Sequence, residues 1–413
     1  MFNLDKFIDQ FVIMRNESMF QADIDANSER LALAIEHKSV LVIGGAGSIG
    51  SSFIRAALPY RPSELYVVDT NENALAELTR SLRSSGEFVP EVYLPYPMDY
   101  SAKAFKRMFL AHTRANGEPG FDIVANFSAH KHVRSEKDIY SIEALLRNNV
   151  IHARFLLDLL ETAPPECYFC VSTDKAANPV NIMGASKRIM EDLIFSYSTS
   201  FPVKTARFAN VAFSNGSLPA GFLERISRLQ PLSAPLDVKR YFVSPKESGQ
   251  ICMLATMLGK NRAIFFPKLE EGSMMTFDKI ARLLLKEHGY EALECASDEA
   301  AIQQAKAFRN HLENGKLDTR YPVHFSKSDT SGEKAFEEFY TKDEKVRLDA
   351  YRSLGVIEDK PAPERAAVTG LVDSLDAAFE MPGINKAAIV KLIQEYLPNF
   401  AHIETKKGLD AKM

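Results

Sequence analysis

Between Val40 and Leu58 the chain reads VLVIGGAGSIGSSFIRAAL: a short Val/Ile run, glycines in the order G-x-x-G-x-x-G, then an amphipathic run. That order constrains the fold more than any other feature. A buried strand must turn tightly at Gly44 and re-enter at once as a helix near Gly47 and Gly50. A helix entered this way presents unpaired N–H groups to an anion, so Gly44, Gly47, Ser48, Ile49 and Gly50 form a candidate pyrophosphate cradle. Glycine spacing alone is a weak signal. The next apolar run, ELYVVD, ends in Asp69, nineteen residues past Gly50, where a carboxylate can meet an adenosine ribose. Such a carboxylate repels a 2′-phosphate and favours NAD over NADP, although Arg80 or Arg83 could offset it. Asp99 in PMDYS is a candidate for adenine contact, with a solvated loop Asp as the alternative.

From residue 39 to about 211, runs such as SVLVIGG, ELYVVD, DIVANFSA, CYFCVS and KTARFAN alternate with longer amphipathic stretches. The rhythm predicts an α/β chain with a Rossmann-like, doubly wound parallel sheet and helices on both faces. The expected organisation is a helical arm over 1–38 and a nucleotide-binding domain over 39–213, to which 241–270 return. A smaller interleaved substrate subdomain is expected from 214–240 and 271–345, and a helical extension over 346–413.

Fifty basic and fifty-four acidic residues leave a net charge of −4 with no dominant basic stripe, which argues against a nucleic-acid partner. Cys167 and Cys170 form C-x-x-C inside an apolar run with no second Cys pair, so core packing is expected rather than metal binding. His130 and His152 are isolated, and no metal is expected. The N-terminal MFNLDKFIDQFVIMRNE is interrupted by Asp5, Lys6 and Asp9, unlike a signal peptide, and no run approaches the ~18 apolar residues of a membrane span. A soluble cytoplasmic protein is expected.

Three further segments carry chemistry: NFSAHKHV over 126–133, STDKAANPVNIMGASK over 172–187 and RFANVAFSNGSLPAGF over 207–222. In this order they resemble the motifs of the UDP-N-acetylglucosamine 4,6-dehydratases, extended short-chain dehydrogenase/reductases related to polysaccharide-biosynthesis proteins. The resemblance covers roughly 38–270, and SGEKAFEEF from Ser331 echoes a later motif of the family. Ala209 departs from the usual Gly, Asn215 falls at a variable position, and the tail beyond about 345 lies outside the resemblance.

Met183 stands where related sugar-modifying enzymes carry a Tyr, four residues before Lys187. The resemblance implies that the site works nonetheless, with tightly bound NAD and a sugar-nucleotide substrate. It implies that Asp174 is the acid for the departing C6 hydroxyl and Lys175 the base at C5. Thr173, or less favourably Ser172, would hold the C4 hydroxyl, and Lys187 the nicotinamide ribose. A basic Lys175 requires a lowered pKa, expected from burial and from the positive charge of Lys187. Ala129 is expected beside the cofactor; Lys131, His132, Met183, Asn210, Ser217 and Arg240 are expected on the substrate side; Asn149 is expected to order local backbone or a water. The implied activity is 4,6-dehydration of a nucleotide-activated N-acetylhexosamine, by a homo-oligomer. The alternatives are a C4 epimerase or ketoreductase on the same fold and a non-catalytic NAD-binding protein.

Overall fold

The computed structural model describes residues 2–132, 136–269, 271–315, 318–328 and 337–403. Among these, nine strands form one sheet: β1 (Ser39–Ile43), β2 (Glu64–Asp69), β3 (Val92–Pro97), β4 (Ile123–Asn126), β5 (Cys167–Val171), β6 (Val203–Ala206), β7 (Ile264–Pro267), β8 (Val346–Arg347) and β9 (Leu354–Ile357). Their spatial order is 8-9-7-6-5-4-1-2-3. Strands β1 to β7 run parallel, and β9 and then β8 extend the β7 edge antiparallel. This is the doubly wound parallel sheet expected from the sequence. β1 and β5 are buried along their whole length, which is why they read as continuous apolar runs without alternation. The chain moves from β1 to β2 and β3 on one side and returns to β4 on the other, so a crevice opens at the carboxyl ends of β1 and β4.

β3, with the sequence VYLPYP, escaped the pattern reading because two prolines weaken a strand signal; as an edge strand it tolerates them. Cys167 and Cys170 are buried in β5 and unpaired. Their odd spacing in a strand sends them to opposite faces.

Three helices position the site. α1 (Ser48–Ala57) follows β1; α2 (Ile182–Ser196) is started by the Asn181 side chain accepting from Gly184 N at 2.8 Å; α3 (Pro245–Leu258) opens with a capping box of Ser244 and Glu247. Every residue of α2 except Arg188 is buried, because α4 (Arg365–Phe379) packs on its outer side and α5 (Lys386–Tyr396) packs on α4.

Two boundaries differ from the expectation. The segment 346–413 contributes β8 and β9 to the sheet before α4 begins, since its short apolar run LGVI satisfies the open edge of β7. The arm over 1–38 is divided. Phe7, Ile8, Val12 and Ile13 join the core of the smaller subdomain, whereas Phe20, Ile24, Leu31 and Ile35 join a core of the main sheet. That subdomain holds a parallel sheet of 232–235, 320–326 and 291–294, with helices Leu218–Ser227, Phe277–Glu287 and Asp298–Glu313. No helix among the described residues is long and apolar enough to cross a membrane.

Candidate active site

The cradle after β1 has the geometry a dinucleotide needs. Gly44 has φ +70°, and a Cβ there would lie 2.6 Å from Ser128 N on the loop after β4. A Cβ on Gly50 would lie 2.3 Å from Gly44 O, so only hydrogen lets α1 press this closely against the turn. Gly47 caps α1 with no side-chain hydrogen bond, leaving the first-turn amides to face an anion. Asp69 ends β2 beside this turn; its Oδ2 accepts from Ala46 N at 3.1 Å and its Oδ1 from Asn71 N at 2.9 Å. Arg80 points to Glu77, 3.7 Å away. These residues fit NAD. Asp99 lies just past β3, with Oδ1 accepting from Ser101 N and Ser101 Oγ at 2.7 and 2.8 Å.

The STDK loop, the candidate reacting loop, leaves the carboxyl end of β5. Thr173 caps a short 3-10 turn over Asp174–Ala176, and its Oγ1 donates to Asp174 Oδ1 at 2.7 Å. Lys175 Nζ donates to the same oxygen at 3.1 Å. Asp174 is buried, whereas the Lys175 side chain keeps a third of its surface exposed. Ser172 is engaged elsewhere, donating to Glu191 Oε1 at 2.6 Å inside the protein, which leaves Thr173 as the hydroxyl beside Asp174.

The expected pairing of two lysines is not what the fold builds. Lys187 Nζ turns under the loop and donates to Val171 O at 3.1 Å, and burial pushes its ammonium below the ordinary lysine value. Lys175 instead has the Asp174 carboxylate as its close charged neighbour. Met183 is only 3% exposed and packs in the core under the sheet, so it offers little surface to a sugar.

Asn149 locks the loop after β4, accepting from His130 N at 2.8 Å and donating to His130 O at 2.9 Å. It sits in a π-helical turn over Arg147–Ile151, a distortion frequent at functional sites. That loop carries Ala129, Lys131 and His132 to the cleft. Lys131 Nζ donates to Ser214 Oγ at 3.4 Å, and desolvation lowers its pKa. The imidazole of His132 lies over Gly216, and Asn215 N donates to Ser48 Oγ at 2.9 Å, so the segment 214–216 bridges the cofactor helix and the Lys131 loop. Ser217 starts the next helix, its Oγ accepting from Ala220 N at 3.3 Å. Asn210 Nδ2 donates to Glu337 Oε1 at 2.8 Å, and Arg240 Nε lies 3.9 Å from that same oxygen.

The sequence profile of polysaccharide biosynthesis proteins matches residues 40–358. The chain belongs to that family. The chain is 26% identical over 294 residues to the probable polysaccharide biosynthesis protein EpsC of Bacillus subtilis, covering 70% of this chain and 47% of that protein. It thus spans about half the length of EpsC. A UDP-N-acetylglucosamine 4,6-dehydratase (inverting) of Campylobacter jejuni is 24% identical over 243 residues, covering 56% of this chain and 67% of that one. The solved dTDP-glucose 4,6-dehydratase DesIV of Streptomyces venezuelae, crystallised with NAD, superposes with a TM-score of 0.53 at 18% identity over 83% of this chain and 98% of its own. At that identity it supports the fold alone.

Two features of this family member were not anticipated from sequence. One is Glu337, whose side chain is 2% exposed and whose Oε2 has no hydrogen-bond partner among the described residues. It belongs to the SGEKAFEEF segment, of which residues 331–336 lie outside the described residues. The other is a buried charge network behind the loop. Arg207, fully buried, holds Glu191 through two bonds of 2.8 and 2.6 Å and Glu344 through two of 2.8 and 2.9 Å. Lys360 Nζ stands 3.6 Å from Glu191 and 3.5 Å from Glu344. Burial would raise the Glu191 carboxyl, but Arg207 overrides it and holds it at about 2. Because Ser172 donates to Glu191, the network anchors the backbone that begins the reacting loop. A charged residue at 207 inside the RFAN motif was visible, but its partners at 191, 344 and 360 are distant in sequence.

Proposed function

We propose that the chain is an NAD-dependent 4,6-dehydratase of a nucleotide-activated N-acetylhexosamine, with UDP-N-acetylglucosamine as the favoured substrate. The observation that carries this reading is the contiguous hydroxyl, carboxyl and amine of Thr173, Asp174 and Lys175 at the carboxyl end of β5, beside a glycine cradle and Asp69. The glycine cradle and Asp69 would hold NAD, which would supply the hydride acceptor for C4 and the hydride donor for C6.

Thr173 Oγ1 orients the C4 hydroxyl and passes its proton to solvent as the ketone forms, and a solvent proton restores the Asp174–Lys175 ion pair at the end of the turnover. Once C4 is a ketone, the C5 proton is acidic, and the Lys175 amine accepts it. Asp174 protonates the C6 oxygen as the C6–O bond breaks, and water leaves; the Lys175 ammonium later returns a proton to C5. The contact between Lys175 Nζ and Asp174 Oδ1 supports this division of labour. One proton moving across it converts the ion pair into an amine and a carboxylic acid, the base and acid that the elimination needs. Epimerisation at C4 would need no acid at C6.

The test is a substrate deuterated at C4. The label is expected at C6 of a 4-keto-6-deoxy product, with no accumulation of NADH. A C4 epimer that keeps its C6 hydroxyl would assign the epimerase reading instead, and stoichiometric NADH would mean a simple dehydrogenase. In Lys175→Ala, exchange of the C5 proton with solvent should stop while some C4 oxidation survives.

A further inference from the structure

Glu337 and Glu338 are adjacent but lie in different surroundings. Glu338 turns outward, accepting from Asn178 Nδ2 at 3.0 Å. Glu337 turns inward, where Oε1 accepts a hydrogen bond from Asn210 and the buried Oε2 has no partner among the described residues. Compare Glu191, also buried, whose two oxygens take three charged or hydroxyl donors. A buried carboxylate with so few donors is costly, whereas a carboxylic acid needs only an acceptor for its proton. The charged groups that act on it are Asp174 and Lys175 from the reacting loop and Arg240 from the strand 239–240.

We propose that Glu337 serves this site as an un-ionised carboxylic acid, which fixes Asn210 through Oε1 and, as the entering nucleotide displaces what covers Oε2, donates the proton there to one of its anionic oxygens. The role rests on the sugar-nucleotide reading above and adds to it the manner in which the anion is held. Burial, reinforced by the negative charge of Asp174, raises the Glu337 carboxyl to about 7, and the opposing charges of Arg240 and Lys175 do not reverse this. A neutral donor suits the place. An ionised Glu337 would present a second carboxylate both to an incoming diphosphate and to the Asp174–Lys175 pair. A carboxylic acid kept neutral so that it can donate a hydrogen bond is an established device for binding negative oxygen.

The experiment measures binding of UDP-N-acetylglucosamine, whose diphosphate diester does not titrate between about pH 6 and pH 9, by calorimetry across that range. Above a pH of about 7, wild-type Kd should rise about tenfold per pH unit as Glu337 loses its proton. Glu337→Gln keeps an acceptor for Asn210 and a neutral N–H donor, so it should bind as the wild type does at pH 6 and stay flat to pH 9. Glu337→Leu, folded by thermal melting, should bind poorly throughout. A flat wild-type profile, or the same slope in Glu337→Gln, would overturn the assignment. The ligand-free protein gives a second readout: an infrared carboxylic-acid C=O band at pH 6 that fades through about pH 7 and is missing in Glu337→Gln. Its absence overturns the role of Glu337 even if the nucleotide binds. Its presence in a protein that binds no sugar nucleotide at any pH would overturn the substrate assignment while leaving Glu337 neutral.

Discussion

Replacing Arg207 by Met keeps the apolar stem of the side chain but removes the guanidinium from between Glu191 and Glu344, both of which it contacts at under 3 Å. The loss can be estimated from the structure in two ways. Glu191 held at about 2 against its ordinary 4.5 corresponds, at about 1.4 kcal/mol per pH unit, to about 3 kcal/mol. Removing one partner of a buried ion pair typically costs about 3–5 kcal/mol, because a charge is left buried without compensation. The sign with pH follows from linkage. Below 4.5 the unfolded chain binds a proton at Glu191 that the folded chain refuses until about 2. This contribution is therefore complete at neutral pH and drains away as pH falls from about 4.5 towards about 2. In Arg207→Met, burial is no longer opposed by the guanidinium, so holding Glu191 ionised at neutral pH costs stability. Urea unfolding followed by circular dichroism should show a deficit of about 3 kcal/mol at pH 7 that narrows as the pH is lowered. Adding Glu191→Gln should recover part of it, since the stranded charge goes too. A deficit below about 1 kcal/mol at pH 7, or one that widens in acid, would refute the assignment of a paired buried network.

In Gly50→Ala the new Cβ would meet Gly44 O at 2.3 Å, so the turn must open; calorimetric titration with NAD should show at least about tenfold weaker binding, and unchanged affinity would remove the cradle from consideration. Met183→Leu is close to volume-conserving in a buried site and should cost under about 1.5 kcal/mol with turnover largely kept. By contrast, Thr173→Val, which loses the hydroxyl bonded to Asp174, should lose on the order of 10²-fold in rate. Turnover of both at saturating NAD, with melting as a folding control, separates them; a folded, inactive Met183→Leu protein would give that methionine a role in the chemistry.

What the sequence determined by itself was local. The turn at Gly44, the close packing at Gly50, the carboxylate ending β2 and the loop STDK are each written within a few residues, because glycine conformational freedom and strand-end placement depend on near neighbours. The parallel sheet was legible for the same reason: strands covered on both faces read as near-continuous apolar runs, as β5 and all of β1 after Ser39 do. Tertiary structure alone decided which charge meets which. The motif spacing placed Lys187 on the helix face shared with Met183, but whether its ammonium would face Lys175 or Val171 O depended on how α2 lies under β5. Glu337 lies 127 residues from Asn210 and Glu344 lies 137 from Arg207, separations at which no periodicity carries information. The antiparallel strands β8 and β9 were likewise invisible as sheet members, since a short apolar run becomes a strand only when an open edge is there to receive its backbone hydrogen bonds. Contacts between distant segments are chosen by burial and charge compensation over the whole chain, and those are properties of the folded molecule.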